Sequence, residues 1–231
     1  MRRALALLLP AFLLTAAGCR SDVGEIRVDL TQVARLMRAY ASGPPSAPTP
    51  PDAERLSPER LNDLGVMLER RGMFQRAEHH YRMAVERKPS FARAWVNLGN
   101  VARRQARHED ALEHYRRAMQ EDPELFEAVN NFADLCADTG RCVEEALAML
   151  RPALEHHPPE EGAGRDTLGK LLLRAGRYSE AAEAFRSALD VTDPRQTELG
   201  IEILLHLAQA CRALGDEDAA RSAELRAAAL R

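Results

Sequence analysis

Displaced against itself by 34 residues, the chain brings Leu64-Gly65 onto Leu98-Gly99, Ala77 onto Ala111, Tyr81 onto Tyr115, Ala84 onto Ala118 and Pro89 onto Pro123. Six matches in one register describe a repeated unit, and a period of roughly 20 to 50 residues marks stacked supersecondary units. A unit this small cannot cover its own apolar face, so each neighbour must supply the cover. Composition sets the kind of unit. Aromatics are 5% and charged residues 29% of the chain, Ala, Leu, Arg and Glu dominate, and no stretch sustains a two-residue alternation of Val, Ile, Thr and aromatics. The expected fold class is therefore all-α.

The period extends beyond the first two units. A third begins near Phe126 with Val129, Phe132, Ala133, Ala146, Leu150, Ala153 and Pro158, and it carries one extra residue between its helices. A fourth begins near Gly162 with Leu168, Gly169, Leu172, Ala181, Phe185, Ala188 and Pro194. A fifth runs from about Ile201 with Leu204, Leu207, Ala208, Cys211 and Ala220, and it places Glu224 where the fourth has Phe185. The expected array spans residues 53–231, with units at about 58–91, 92–125, 126–160, 162–195 and 201–231. Gly or Ala at the eighth and twentieth positions lets two antiparallel helices approach closely, and large residues at the fourth, seventh and twenty-fourth fill the gap. Prolines 89, 123 and 158 stop the second helices, because proline cannot continue a helix. Ser57 before Pro58-Glu59 is an N-cap followed by a first-turn proline.

This pattern, with Trp95, Leu98, Gly99, Ala111, Tyr115, Ala118 and Pro123 in the second unit, resembles the tetratricopeptide repeat. The resemblance implies a right-handed superhelical solenoid of helix pairs whose first helices line a peptide-binding groove. Carried over position by position, the groove takes Asn62, Val66, Glu69 and Arg70 from the first unit. The second supplies Arg93, Val96, Asn97, Asn100, Arg103 and Arg104, and the third Glu127, Asn130, Asn131, Asp134 and Asp138. Asparagine disfavours helix slightly, so its density here asks for a reason. Either the carboxamides pair with an extended peptide, or they bridge neighbouring helices or face water. The lysine clamp that some such domains use for a C-terminal carboxylate is missing, since Asn62 and Ala163 stand in its places.

The N-terminus reads as an address. Arg2 and Arg3 precede the short apolar run Ala4–Leu14, which is the pattern of a signal peptide over residues 1–18. Ala16-Ala17-Gly18-Cys19 resembles the lipobox of bacterial lipoproteins, which implies a covalent lipid on Cys19. Arg20, where an aspartate would signal inner-membrane retention, implies the periplasmic face of the outer membrane. Residues 19–41 join the lipidated cysteine to an amphipathic helix with Ile26, Leu30, Val33, Met37 and Tyr40 on one face. This helix caps the first repeat, lies on the membrane or docks a partner. Residues 42–52 (SGPPSAPTPPD) form an extended proline-rich linker.

Little else carries chemistry. Cys136 and Cys142 straddle Thr139-Gly140 at the lengthened turn. A disulfide there suits an oxidising compartment, but Cys136 shares its repeat position with Cys211, where a small buried residue is ordinary. The seven histidines make no metal-ligand spacing, and His79, His80 and His114, on second helices, are expected to be solvated. There is no nucleophile elbow or phosphate loop. The chain is thus expected to be no enzyme, with no metal and no cofactor beyond the covalent lipid, and no small-molecule substrate. A formal charge of -3 argues against nucleic acid. A lipid-anchored array of this build resembles the pilotins of type IV pilus systems, which implies a secretin subunit as partner. The alternative is an envelope adaptor that holds peptidoglycan-linked, tight-adherence or secretion-machinery proteins.

Overall fold

The computed structural model describes residues 56–156 and 162–231. The signal segment, Cys19, the amphipathic segment and the proline-rich linker lie outside the described residues. Ten α-helices and no strand occur among the described residues: α1 (Pro58–Glu69), α2 (Phe74–Arg87), α3 (Ala92–Arg104), α4 (His108–Glu121), α5 (Phe126–Thr139), α6 (Val143–His156), α7 (Gly162–Arg174), α8 (Tyr178–Val191), α9 (Thr197–Ala213) and α10 (Glu217–Ala229). They pack as five pairs, each second helix also touching the next unit's first helix, while the first helices α1, α3, α5, α7 and α9 meet in a row.

One contact sets the geometry of a pair. A Cβ added to Gly65 would sit 2.4 Å from Cε1 of Tyr81, one on Gly99 would sit 2.3 Å from Tyr115, and one on Gly169 would sit 2.4 Å from Phe185. The ring of the second helix therefore lies flat against the bare backbone of the first, and all three rings are fully buried. The third unit reverses both partners at once. Ala133 stands where the glycine would be and Leu150 where the ring would be, both buried. The fifth unit puts Ala208 under Glu224, whose carboxylate reaches the Arg212 guanidinium.

The ends of the helices are equally regular. Ser57 Oγ accepts from the Arg60 N–H at 3.3 Å and Pro58 opens α1. Each pair has a left-handed residue just after its first helix: Gly72 (φ 73°), Ala106 (φ 57°), Gly140 (φ 70°), Gly176 (φ 73°) and Gly215 (φ 80°), and the third pair adds Cys142 (φ 44°). At the position just after the first helix, Ala106 stands where the other four units have glycine. The fifth pair departs from the period, because α9 starts at Thr197 rather than at Ile201 and gains a turn ahead of it. On the second helices, Arg116 pairs with Glu145 and Arg151 with Glu180, each at 2.8 Å, between equivalent repeat positions of successive units. These half-exposed pairs record register more than they add stability.

The apolar core runs unbroken from Val96 to Ala227 through the stacked units. His80 corrects an expectation, since its side chain is wholly buried instead of solvated. The same repeat position in the next unit is His114, whose ring packs 5.7 Å from Trp95, so this position faces the neighbouring helix and not water. Burial, with His79 adding repulsion, pushes the His80 imidazole down to about 4 and keeps it neutral. His79 itself is exposed, and His114 is partly buried with its pKa lowered by burial.

A left-handed alanine carries a steric cost that glycine lacks, roughly 1 kcal/mol. Ala106→Gly should raise the unfolding free energy by about that amount, measured by urea denaturation with an unchanged m-value.

Candidate functional site

The row of first helices holds the residues expected to line a groove, and most of them are engaged with one another. Asn97 Nδ2 donates to Asn62 Oδ1 at 2.8 Å, joining α3 to α1. Asn131 Nδ2 donates to Asn100 Oδ1 at 3.1 Å, joining α5 to α3, and the Tyr115 hydroxyl donates to the same oxygen at 2.8 Å. The hydroxyl thus ties the buried ring to the polar row. Tyr81 makes the matching bond to Glu69 at 3.0 Å, and Glu69 also meets Arg104 at 3.3 Å. Burial raises both phenol pKa values, that of Tyr115 to about 12.

The centre of the row is a charged cluster. Arg103 of α3 donates to Asp134 at 2.6 Å and to Asp138 at 2.5 Å, both on α5. Lys170 of α7 reaches Asp134 from the other side and stands 3.5 Å from Asp138. Arg174 of α7 donates to the carbonyls of Ala137 (2.7 Å) and Asp138 (3.1 Å), where the last turn of α5 has no helical partners to offer them. Burial pushes the Asp134 carboxyl up, but Lys170 and Arg103 outweigh it and hold the group below the usual carboxylate range. Lys170 is raised in turn, because Asp134 outweighs its own burial. Further along, His206 Nδ1 of α9 lies 2.8 Å from the buried Asp166 of α7, with its ring 5.5 Å from Phe185.

Of the residues expected in the groove, Asn62, Asn97, Asn100, Asn131 and Asp134 therefore form rungs between helices. Val96 is corrected: it is 1% exposed and belongs to the core, because its position faces the next first helix. Val66 and Asn130 are half-buried, and the Asn130 Oδ1 is buried without a hydrogen-bond partner. Arg93 and Arg104 face solvent. Lys170, Arg174, Asp166 and His206 were not among the expected residues. The period contained the signal for them, since Lys170 repeats the position of Asn100 and Asp134, while Asp166 and His206 repeat those of Asn62 and Asn97. Cys136 and Cys142 are joined, with Cα atoms 5.5 Å apart, and Cys211 is a buried free thiol. A second, apolar cleft of about 740 Å³ opens beside α4, α5 and α6, lined by Met119, Phe126, Val129, Met149 and Pro152 among others.

Residues 62–125, 131–196 and 167–231 match the tetratricopeptide repeat profile. The chain belongs to the tetratricopeptide repeat family. Solved structures agree on the fold. MamA of Desulfovibrio magneticus RS-1 superposes with a TM-score of 0.65 at 16% identity, over 75% of this chain and 94% of that one. PilF of Pseudomonas aeruginosa gives 0.62 at 24% identity, over 72% of each chain. YrrB, described as a TPR protein with an unusual peptide-binding site, gives 0.60 at 19% identity, over 74% of this chain and 84% of that one. No match is found among curated proteins. A tetratricopeptide array of this kind is a protein–protein interaction scaffold. Among the described residues no group of three or more metal-ligating side chains comes together, and no helix is long and apolar enough to cross a membrane.

Removing the Asp134 charge strands Arg103 and Lys170 in a partly buried site. Asp134→Asn should cost about 1–3 kcal/mol of stability near neutral pH. The sign follows from the lowered carboxyl pKa: the contribution is present above the unfolded-state value and is lost as pH falls through the folded-state one. Wild type and variant should accordingly converge below about pH 3 in chemical denaturation.

Proposed function

We propose that this scaffold is an outer-membrane lipoprotein that captures a secretin subunit and escorts it to the membrane, where the subunit multimerises into the pore of a type IV pilus. The reading rests on one observation, the lipobox-like Ala16-Ala17-Gly18-Cys19 ahead of an array made for binding proteins. An acyl anchor gives a binding protein a fixed membrane address, which a carrier delivering its partner to that membrane requires. Two or more acyl chains make such anchoring stable. YrrB, described as having a peptide-binding site, supports the idea that an array of this fold can hold a peptide. With the asparagine carboxamides engaged in rungs, each keeps spare donor or acceptor capacity on its solvent side. A secretin segment would read that edge together with the exposed Arg93 and Arg104.

Deleting the gene should abolish heat-resistant secretin multimers on a denaturing gel, and a Cys19→Ala chain should appear in the soluble fraction and fail to restore them. Normal multimers in the deletion strain would overturn the escort role. Membrane retention of Cys19→Ala would overturn the anchor.

A further inference from the structure

Four of the five units close the turn between their helices in the same way. After the left-handed residue, the next N–H reaches back to the carbonyl five residues earlier: Met73 to Leu68 at 3.0 Å, and Arg107 to Ala102, Arg177 to Leu172 and Asp216 to Cys211 at 2.9 Å each. This is the helix-ending bond that satisfies a carbonyl of the last turn. The third unit, with its extra residue, is built differently. Gly140 is left-handed as in the others, but Cys142 is left-handed too (φ 44°), and the tie is the covalent bond from Cys142 to Cys136. Cys136 occupies the repeat position of Leu68, Ala102, Leu172 and Cys211. A disulfide thus stands where the other units place a backbone hydrogen bond.

The last two turns of α5, which this disulfide ties down, are where both neighbours attach. Arg103 of the second unit grips Asp134 and Asp138, Lys170 of the fourth grips the same two carboxylates, and Arg174 takes the carbonyls of Ala137 and Asp138. We infer that the Cys136–Cys142 disulfide is a redox-cleavable latch: while it is closed it holds the end of α5 in place for both neighbours, and reduction loosens the α3–α5–α7 junction at mid-array. The latch does not depend on what the array binds or where it is anchored.

The partner that opens it is a dithiol reductant. Cys136 is fully buried whereas Cys142 is partly exposed, so the incoming thiolate attacks Sγ of Cys142. The Cys136–Cys142 bond breaks as a mixed disulfide forms on Cys142, and Cys136 leaves as a thiolate that takes up a proton. The reductant's second thiolate then attacks its own sulfur in the mixed disulfide, freeing Cys142 as a thiol. Two electrons have passed to the protein, and the reductant departs as a disulfide.

Hydrogen exchange on the full chain, followed by mass spectrometry with and without dithiothreitol, tests this. A tie closing so short a loop should slow local opening by on the order of tenfold or more. Amides at the end of α5 and the start of α6 should therefore exchange about that much faster after reduction, those of α9 and α10 should not change, and oxidised glutathione should restore the original rates. A Cys136→Ser/Cys142→Ser chain should match the reduced protein and ignore dithiothreitol. Equal exchange in the two redox states of the wild-type chain, or an equal acceleration in every unit, would overturn the latch. So would a response of the serine variant to the reductant. Because wild type is compared with itself, the test stands even where the variant fails to fold.

Discussion

The close seating of an aromatic ring on a glycine governs the rest of this molecule. With no Cβ at Gly65, Gly99 or Gly169, the ring of the second helix lies directly on the first helix. That fixes how near the two axes come, and with it which faces remain for the next unit. The units that depart from the pattern confirm that the two positions are one constraint. Where the third unit adds a methyl at Ala133 it gives up the ring for Leu150, and where the fifth has Ala208 it replaces the ring by a carboxylate that turns out to Arg212. Overpacking a close contact and leaving a void beneath it are both costly, so the pair can change only together.

From that spacing follows the row of first helices and its polar cross-links. The ring's hydroxyl, where the ring is tyrosine, emerges beside the row and joins it: Tyr115 shares Asn100 with Asn131, and Tyr81 shares Glu69 with Arg104. Core and first-helix face are therefore one connected system. The apolar contacts supply most of the stabilising energy, while the rungs choose register, since unpaired buried carboxamides and charges would penalise any slip of one unit on the next. A face cross-linked in this way is held in shape by its own side chains.

Much of this could be read from the 34-residue period. Equivalent positions named the helix pairs, the close-packing glycines and the face made by the first helices. What the period could not show was the rotation between units, and the identity of each rung depends on it. Asn62 and Asn97 are ordinary helix residues until the units stack, and only then do their carboxamides come within 2.8 Å. Val96 looks like a surface position by count and is core by rotation. His80 was misplaced for a plainer reason: polarity suggested solvent, whereas its repeat position, shared with His114 beside Trp95, faces a neighbouring helix. The start of α9 at Thr197 did have a marker, since it lies three residues after Pro194 just as α3 and α5 begin three residues after Pro89 and Pro123; counting from Leu207-Ala208 instead placed the unit a turn too late.

The coupling between glycine and ring can be measured by a double-mutant cycle at Gly99 and Tyr115, with urea unfolding of the wild type, Gly99→Ala, Tyr115→Leu and the double variant. The third unit shows the Ala–Leu combination packing well. The double variant is accordingly expected to be more stable than the sum of the single losses allows, by about 1–2 kcal/mol. Additivity within about 0.5 kcal/mol would mean that the two positions do not constrain each other, and would contradict the view that this contact sets the geometry of the array.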